Sequence, residues 1–109
     1  MQRIEHNGLV YYQFDQWAGT GGLIHAIFTR LGGVSPAPWA SLNVGGTVGD
    51  APAAVQENHR RMLAALGLDS AQTCTVWQVH SADTVIVQGR VPNRRWLARA
   101  DGMVTDRPN

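Results

Sequence analysis

DAPAAVQENHRRMLAALG, Asp50 to Gly67, is the segment whose reading decides the fold, because nowhere else does the chain keep a helical period for four turns. Val55, His59, Met62, Leu63 and Leu66 recur at the spacing of one helix face and predict a single buried stripe. Asp50 stands where an N-cap is expected, and Pro52 falls in the first turn, where a missing N–H costs nothing. Glu57 and Arg61 are four residues apart, an i,i+4 pair for the outer side. Gly67 follows the last apolar residue, as the left-handed C′ position requires.

On either side of this helix the period changes to that of strands. GLVYYQF (residues 8–14) and GLIHAIFTR (22–30) precede it, the second with Leu23, His25, Ile27 and Thr29 on one face and Ile24, Ala26, Phe28 and Arg30 on the other. TCTVWQV (73–79), DTVIVQ (83–88) and ADGMVT (100–105) follow it, and the short HSA break at 80–82 predicts a hairpin between the third and fourth strands. RVPNRRWLAR (90–99) reads as a loop or a weak helical turn. LGGVSPAPWASLNVGGTVGD (31–50) has neither period and predicts a long loop, a length usually tied to function or mobility. The order β-β-α-β-β-β predicts an α+β fold with a mixed, mostly antiparallel sheet and one main helix on one face. One helix covers one face of a five-stranded sheet, so residues 1–109 read as part of a larger layered domain.

Composition narrows the function class. The chain has 109 residues, 44% of them hydrophobic and 16% charged, with a net charge of +1, which is ordinary for a globular domain. All nine basic residues are arginines, five of them at 90, 94, 95, 99 and 107. Trp96 stands alone among these arginines, without the interleaved aromatics that stack bases, so no nucleic-acid partner is expected. No apolar run reaches the roughly 20 residues that span a bilayer, and MQRIEHNGLVYYQF has no signal-peptide core, so no membrane partner is expected either. Cys74 is the one cysteine, which points to a reducing, cytoplasmic setting.

The chemistry-bearing residues are few. His6, His25, His59 and His80 contain no HxxxH pair, and a catalytic zinc site takes three protein ligands. Cys74 shares a strand face with His80, but six strand residues separate them by about 20 Å, too far for one metal. Cys74 therefore reads as a core thiol, and His25 and His59 as structural histidines. His80, at the end of a strand, reads either as a polar residue closing the strand or as a group presented to a cleft. Asp83 is near enough in sequence to orient its imidazole. Gly32 and Gly33 allow close approach to the backbone, their N–H groups are candidates to hold an anion, and Arg30 just before them is a candidate clamp for phosphate or carboxylate. The pair of glycines is a weak signal, equally a tight turn beside a surface arginine.

Taken together, FTRLGGVS (28–35), SLN (41–43), VGDAPAAVQEN (48–58), QVH (78–80) and ADGMVT (100–105) resemble the N-terminal half of the YfiH-like laccase-domain family. The resemblance covers about residues 22–106. Its members have been described as multicopper polyphenol oxidases, peptidoglycan-editing factors and zinc-containing purine nucleoside phosphorylases. It implies a layered α/β/β/α domain of which residues 1–109 are the N-terminal part. It implies zinc, with copper as the alternative, held by the QVH histidine, a cysteine in a later ADC motif and a histidine in a later HAGWRG motif. His80 matches the first, as metal ligand and catalytic residue. The other two motifs do not occur in these 109 residues, and Cys74 precedes His80 instead of following it. Arg30 and Asn43 match positions near the family cleft and are expected to bind substrate or phosphate. The implied activity is phosphorolysis of inosine, guanosine, adenosine and methylthioadenosine, with adenosine deamination, and inactivity of this chain alone. Purine nucleosides, phosphate and either a C-terminal half or a second copy are the implied partners. Editing of peptidoglycan precursors by an amidase reaction, and a non-enzymatic interaction module, are the alternative readings.

Overall fold

The structure is a computed structural model and describes residues 1–70, 73–89 and 96–108. It falls into two compact units, residues 1–68 and residues 69 onward.

The first unit is built on a meander of β1 (Gln2–His6), β2 (Leu9–Gln13) and β3 (Ile27–Phe28), antiparallel throughout, with a short 3-10 turn at Asp15–Trp17 after β2. Asn7 (φ 48°) and Gly8 (φ 81°) join β1 to β2 in a two-residue connection, with His6 opposite Leu9. Both central residues are left-handed, the requirement that makes Asn-Gly the preferred hairpin pair. The sequence expectation placed one strand at 8–14; β1 is an addition, and Asn7-Gly8 was its signal. β2 lies between two neighbours and buries Leu9, Val10 and Tyr11 in succession. Tyr11 faces Phe28, with ring centroids 5.0 Å apart.

The expected strand at 22–30 shortens to Ile27–Phe28 because its flanks bond in other ways. The His25 Nε2 accepts the Phe14 N–H at 2.9 Å, and the His25 carbonyl accepts from the Gln13 amide at 3.1 Å. The ring also stacks on Phe14 and meets Trp17 edge-on.

Helix α1 runs from Pro52 to Ala65. Its end is a Schellman turn: Gly67 is left-handed at φ 71°, its N–H donates to the Ala64 carbonyl, and the Leu68 N–H donates to Leu63. Val55 and Leu63 of the predicted stripe are buried, Met62 and Leu66 half-buried. His59 donates through Nε2 to the Val44 carbonyl at 3.0 Å. Glu57 pairs with Arg61, as predicted, and also with Arg60. Ala51, not Asp50, occupies the N-cap, because the Asp50 carboxylate is engaged elsewhere.

Residues 31–50 have no regular secondary structure, as expected, yet they are packed. The fully buried side chain of Asn58 holds them to the helix. Its Nδ2 donates to Ser35 Oγ and to the Asn43 carbonyl, and its Oδ1 accepts the Val34 N–H, all at 2.8 Å. Ser35 Oγ in turn donates to Asp50 Oδ2 at 2.5 Å, and Asn43 Nδ2 donates to the same oxygen at 3.1 Å. These bonds, Ser35 first and Asn43 second, keep the Asp50 carboxyl below the ordinary carboxylate range despite its partial desolvation. A depressed carboxyl stabilises the fold above its unfolded pKa, and that contribution is lost as pH falls through the lower folded value. Melting temperature should therefore fall as pH drops below the ordinary Asp value of 3.8. Asp50→Asn should lower the neutral-pH melting temperature and flatten this acid limb; an unchanged limb would show that the carboxylate does not hold the loop.

The second unit has no hairpin at 80–82. β4 (Thr84–Ile86) pairs in parallel with β5 (Gly102–Val104), Val85 opposite Met103. The expected strand at 73–79 makes one parallel bridge, Trp77 to Arg99, with the Trp77 N–H donating to Ala98 and the Ala100 N–H to Trp77. Trp77 and Trp96 pack at 4.4 Å, with the Arg99 guanidinium 5.7 Å from the Trp77 ring. The described strands thus form a three-stranded antiparallel and a two-stranded parallel sheet instead of one five-stranded sheet. The α+β class with one main helix holds. Most of the segment read as a loop or weak turn, 90–95, lies outside the described residues. Among the described residues no helix is long and apolar enough to cross a membrane.

Candidate functional site

The turn at 79–81 carries the principal candidate. Three successive N–H groups converge on one carboxylate: Val79 and His80 donate to Asp101 Oδ1 at 3.1 and 2.9 Å, and Ser81 donates to Oδ2 at 2.9 Å. The Ser81 hydroxyl adds a fourth bond to Oδ2 at 2.6 Å. These bonds tie the turn to Asp101, and the expected hairpin is absent. His80 is left-handed at φ 60°, uncommon for a residue with a side chain. Its side chain is exposed, and among the described residues its imidazole has no hydrogen bond or ion pair. The turn thus fixes the backbone of His80 and leaves its ring exposed.

Asp101 is the residue the sequence reading missed. The Ser81 hydroxyl first, then the backbone N–H groups of Ser81, His80 and Val79, hold its carboxyl below the usual range against partial desolvation. Asp83, expected to orient the imidazole, acts through its main chain instead. Its carbonyl accepts the N–H groups of Asp101 and Gly102 at 2.8 and 3.2 Å, and its own N–H donates to Ser81 Oγ. These bonds splice the turn to the start of β5.

The other candidates separate into engaged and available groups. Gly32 and Gly33 approach the chain's own backbone: a Cβ on Gly33 would collide with the Ser41 carbonyl and the Leu42 Cα, and one on Gly32 (φ 92°) would lie 2.5 Å from the Gly8 oxygen. The N–H groups of Leu31, Gly33, Val34 and Ser35 are bonded to Thr29 Oγ1, Ser41 Oγ, Asn58 Oδ1 and the Ser41 carbonyl. Of the two glycine N–H groups expected to hold an anion, that of Gly33 is therefore taken by the protein itself. The Arg30 carbonyl accepts from Ser41 and Leu42, while its side chain is exposed and its guanidinium makes no ion pair among the described residues. Asn43 uses its amide within the loop: Oδ1 accepts the Gly45 N–H, and Nδ2 donates to Gly45 and Asp50.

For a metal, the donor set is short. No three His, Cys, Asp or Glu side chains cluster among the described residues. Cys74 lies with its Sγ 3.9 Å from the Met103 sulfur, and Asp101 is saturated by its four donors. A catalytic zinc requires three protein ligands. The described residues do not complete a site.

The profile of the family described as multi-copper polyphenol oxidoreductase laccase matches residues 24–109. The chain belongs to this laccase-like family. A purine nucleoside phosphorylase of Streptomyces griseus is 45% identical over 87 residues, covering 79% of this chain and 35% of that protein. The purine nucleoside phosphorylase YfiH of Escherichia coli is 42% identical over 76 residues, 68% of this chain and 30% of that protein. The crystal structure of a Bacillus licheniformis hypothetical protein, YfiH, superposes with a TM-score of 0.80 at 25% identity, over 95% of this chain and 39% of that one. The chain spans about a third of the length of the curated relatives it matches. The laccase-like fold therefore holds for nearly the whole chain. The family's description names a copper oxidoreductase, a metal-binding class, whereas the relatives are named as phosphorylases.

Proposed function

We propose that this chain is the N-terminal part of a zinc-dependent purine nucleoside phosphorylase that acts in the cytoplasm. His80 is its contribution to the metal and catalytic centre, and the rest of the family's length supplies the remaining ligands. The observation that carries this reading is the exposed, unengaged imidazole of His80 on a turn held by four bonds to Asp101, in a chain whose relatives are named as purine nucleoside phosphorylases. Phosphorolysis needs a site that binds an oxyanion and a nucleoside and stabilises the charge developing on the sugar. Arg30, whose guanidinium has no ion-pair partner among the described residues, is the candidate for phosphate. Asn43 keeps one Oδ1 lone pair available for a substrate hydroxyl after its bond to Gly45. Inosine, guanosine, adenosine and methylthioadenosine are the substrates proposed, with deamination of adenosine as a second activity. One ligand of three does not hold a catalytic metal, so no turnover is expected of the chain alone.

The test is release of hypoxanthine from inosine and inorganic phosphate, by this chain with and without the C-terminal portion of a laccase-like family member. Turnover is expected from the mixture and not from the chain. Robust phosphorolysis by the 109 residues alone would overturn the proposal.

A further inference from the structure

We propose that Asp101 is a positioning residue for His80: by gathering the N–H groups of residues 79–81 and the Ser81 hydroxyl, its carboxylate holds His80 in the left-handed conformation that turns the imidazole outward. The inference rests on the reading of His80 as the functional group, and it adds a residue on which that group depends.

Left-handed backbone at a histidine persists when the surrounding structure imposes it. Four donors at 2.6 to 3.1 Å on one carboxylate are such an imposition, and they occupy both oxygens. Charge-assisted bonds of this kind are roughly twice as strong as neutral ones. Asp101 is itself placed from the other side. Its N–H donates to the Asp83 carbonyl, and the next residue, Gly102, opens β5 opposite Thr84 of β4. A Cβ at Gly102 would lie 3.0 Å from Thr84 Oγ1, so the strand pair closes tightly beside the clamp. The parallel sheet thus sets Asp101, Asp101 sets the backbone of His80, and that backbone sets the direction of its Cα–Cβ bond. Among the described residues the imidazole has no hydrogen bond or ion pair, so its placement is set through the main chain that carries it.

The experiment is NMR on the labelled 109-residue chain and its Asp101→Asn variant. An asparagine has nearly the same shape, but it presents an NH2 group where Oδ2 accepts from Ser81, so the clamp opens. In the unaltered chain the backbone couplings of His80 should report a left-handed φ. In the variant they should move to the extended region, and amide exchange at 79–81 should accelerate at least about tenfold, as local opening requires. Amides of β1, β2 and Asn58 should be unchanged. A left-handed His80 with protected amides in Asp101→Asn would overturn the inference. Should the variant lose the β4–β5 pairing, the unaltered chain decides: couplings across the hydrogen bonds from the nitrogens of Val79, His80 and Ser81 to Asp101 Cγ are expected, and their absence sinks the proposal. The role of His80 is tested separately by phosphorolysis with His80→Ala, a result that leaves these couplings as they are.

Discussion

Asn58→Leu is expected to lower the melting temperature of the chain by roughly 10 °C or more, the largest stability effect of any single polar substitution in the first unit. Leucine has the same branched skeleton but strands two partly buried partners, the Val34 N–H and the Asn43 carbonyl. Ser35 Oγ loses a donor but keeps its bond to Asp50. A buried group left without its hydrogen bond costs about 1–3 kcal/mol. Two of them, about 3 kcal/mol together, correspond to more than ~10 °C in a domain of this size. The consequence extends beyond the helix, because Asn58 is the link through which residues 34, 35 and 43 reach α1. Calorimetry on the purified variant checks this, and a shift below about 3 °C would show that the loop closes without the amide.

His80→Ala should do the opposite: leave stability almost unchanged and remove function. Among the described residues the imidazole makes no bond that holds the second unit together, so the melting temperature should stay within the range of an exposed surface substitution, about 0.5 kcal/mol. In the inosine assay with the C-terminal portion added, turnover should fall at least about a hundredfold, the scale for losing a group that acts at the reacting centre. Turnover within twofold of the unaltered protein would remove His80 from the site.

The legible parts of the fold were those whose signal is local. The helix could be read because its apolar period, Pro52 and Gly67 are each a statement about neighbouring residues, and the Schellman bonds to Leu63 and Ala64 follow from Gly67 alone. Asn7-Gly8 was equally local but did not have two alternating runs to frame it, since Gln2–His6 is mostly polar and exposed. The hairpin at 80–82 was misread because spacing alone favours it. The turn is instead tied to a carboxylate some twenty residues later, which captures its N–H groups. Asn58 and Asp50 were hidden for a related reason. A polar residue on an apolar face, or before a helix, looks like a surface group or a cap until the loop that bonds it is in place. His80 could be found by its motif; that its conformation depends on Asp101 could not.

We propose that these 109 residues contribute one ligand to a metal centre completed elsewhere in the family's length. Equilibrium zinc binding to this chain by itself, read by competition with a chromogenic chelator, tests it most directly. No one-to-one site tighter than about 10 μM is expected, because a lone imidazole lacks the ligand count of a zinc site. A stoichiometric site of nanomolar affinity that disappears with His80→Ala would contradict it.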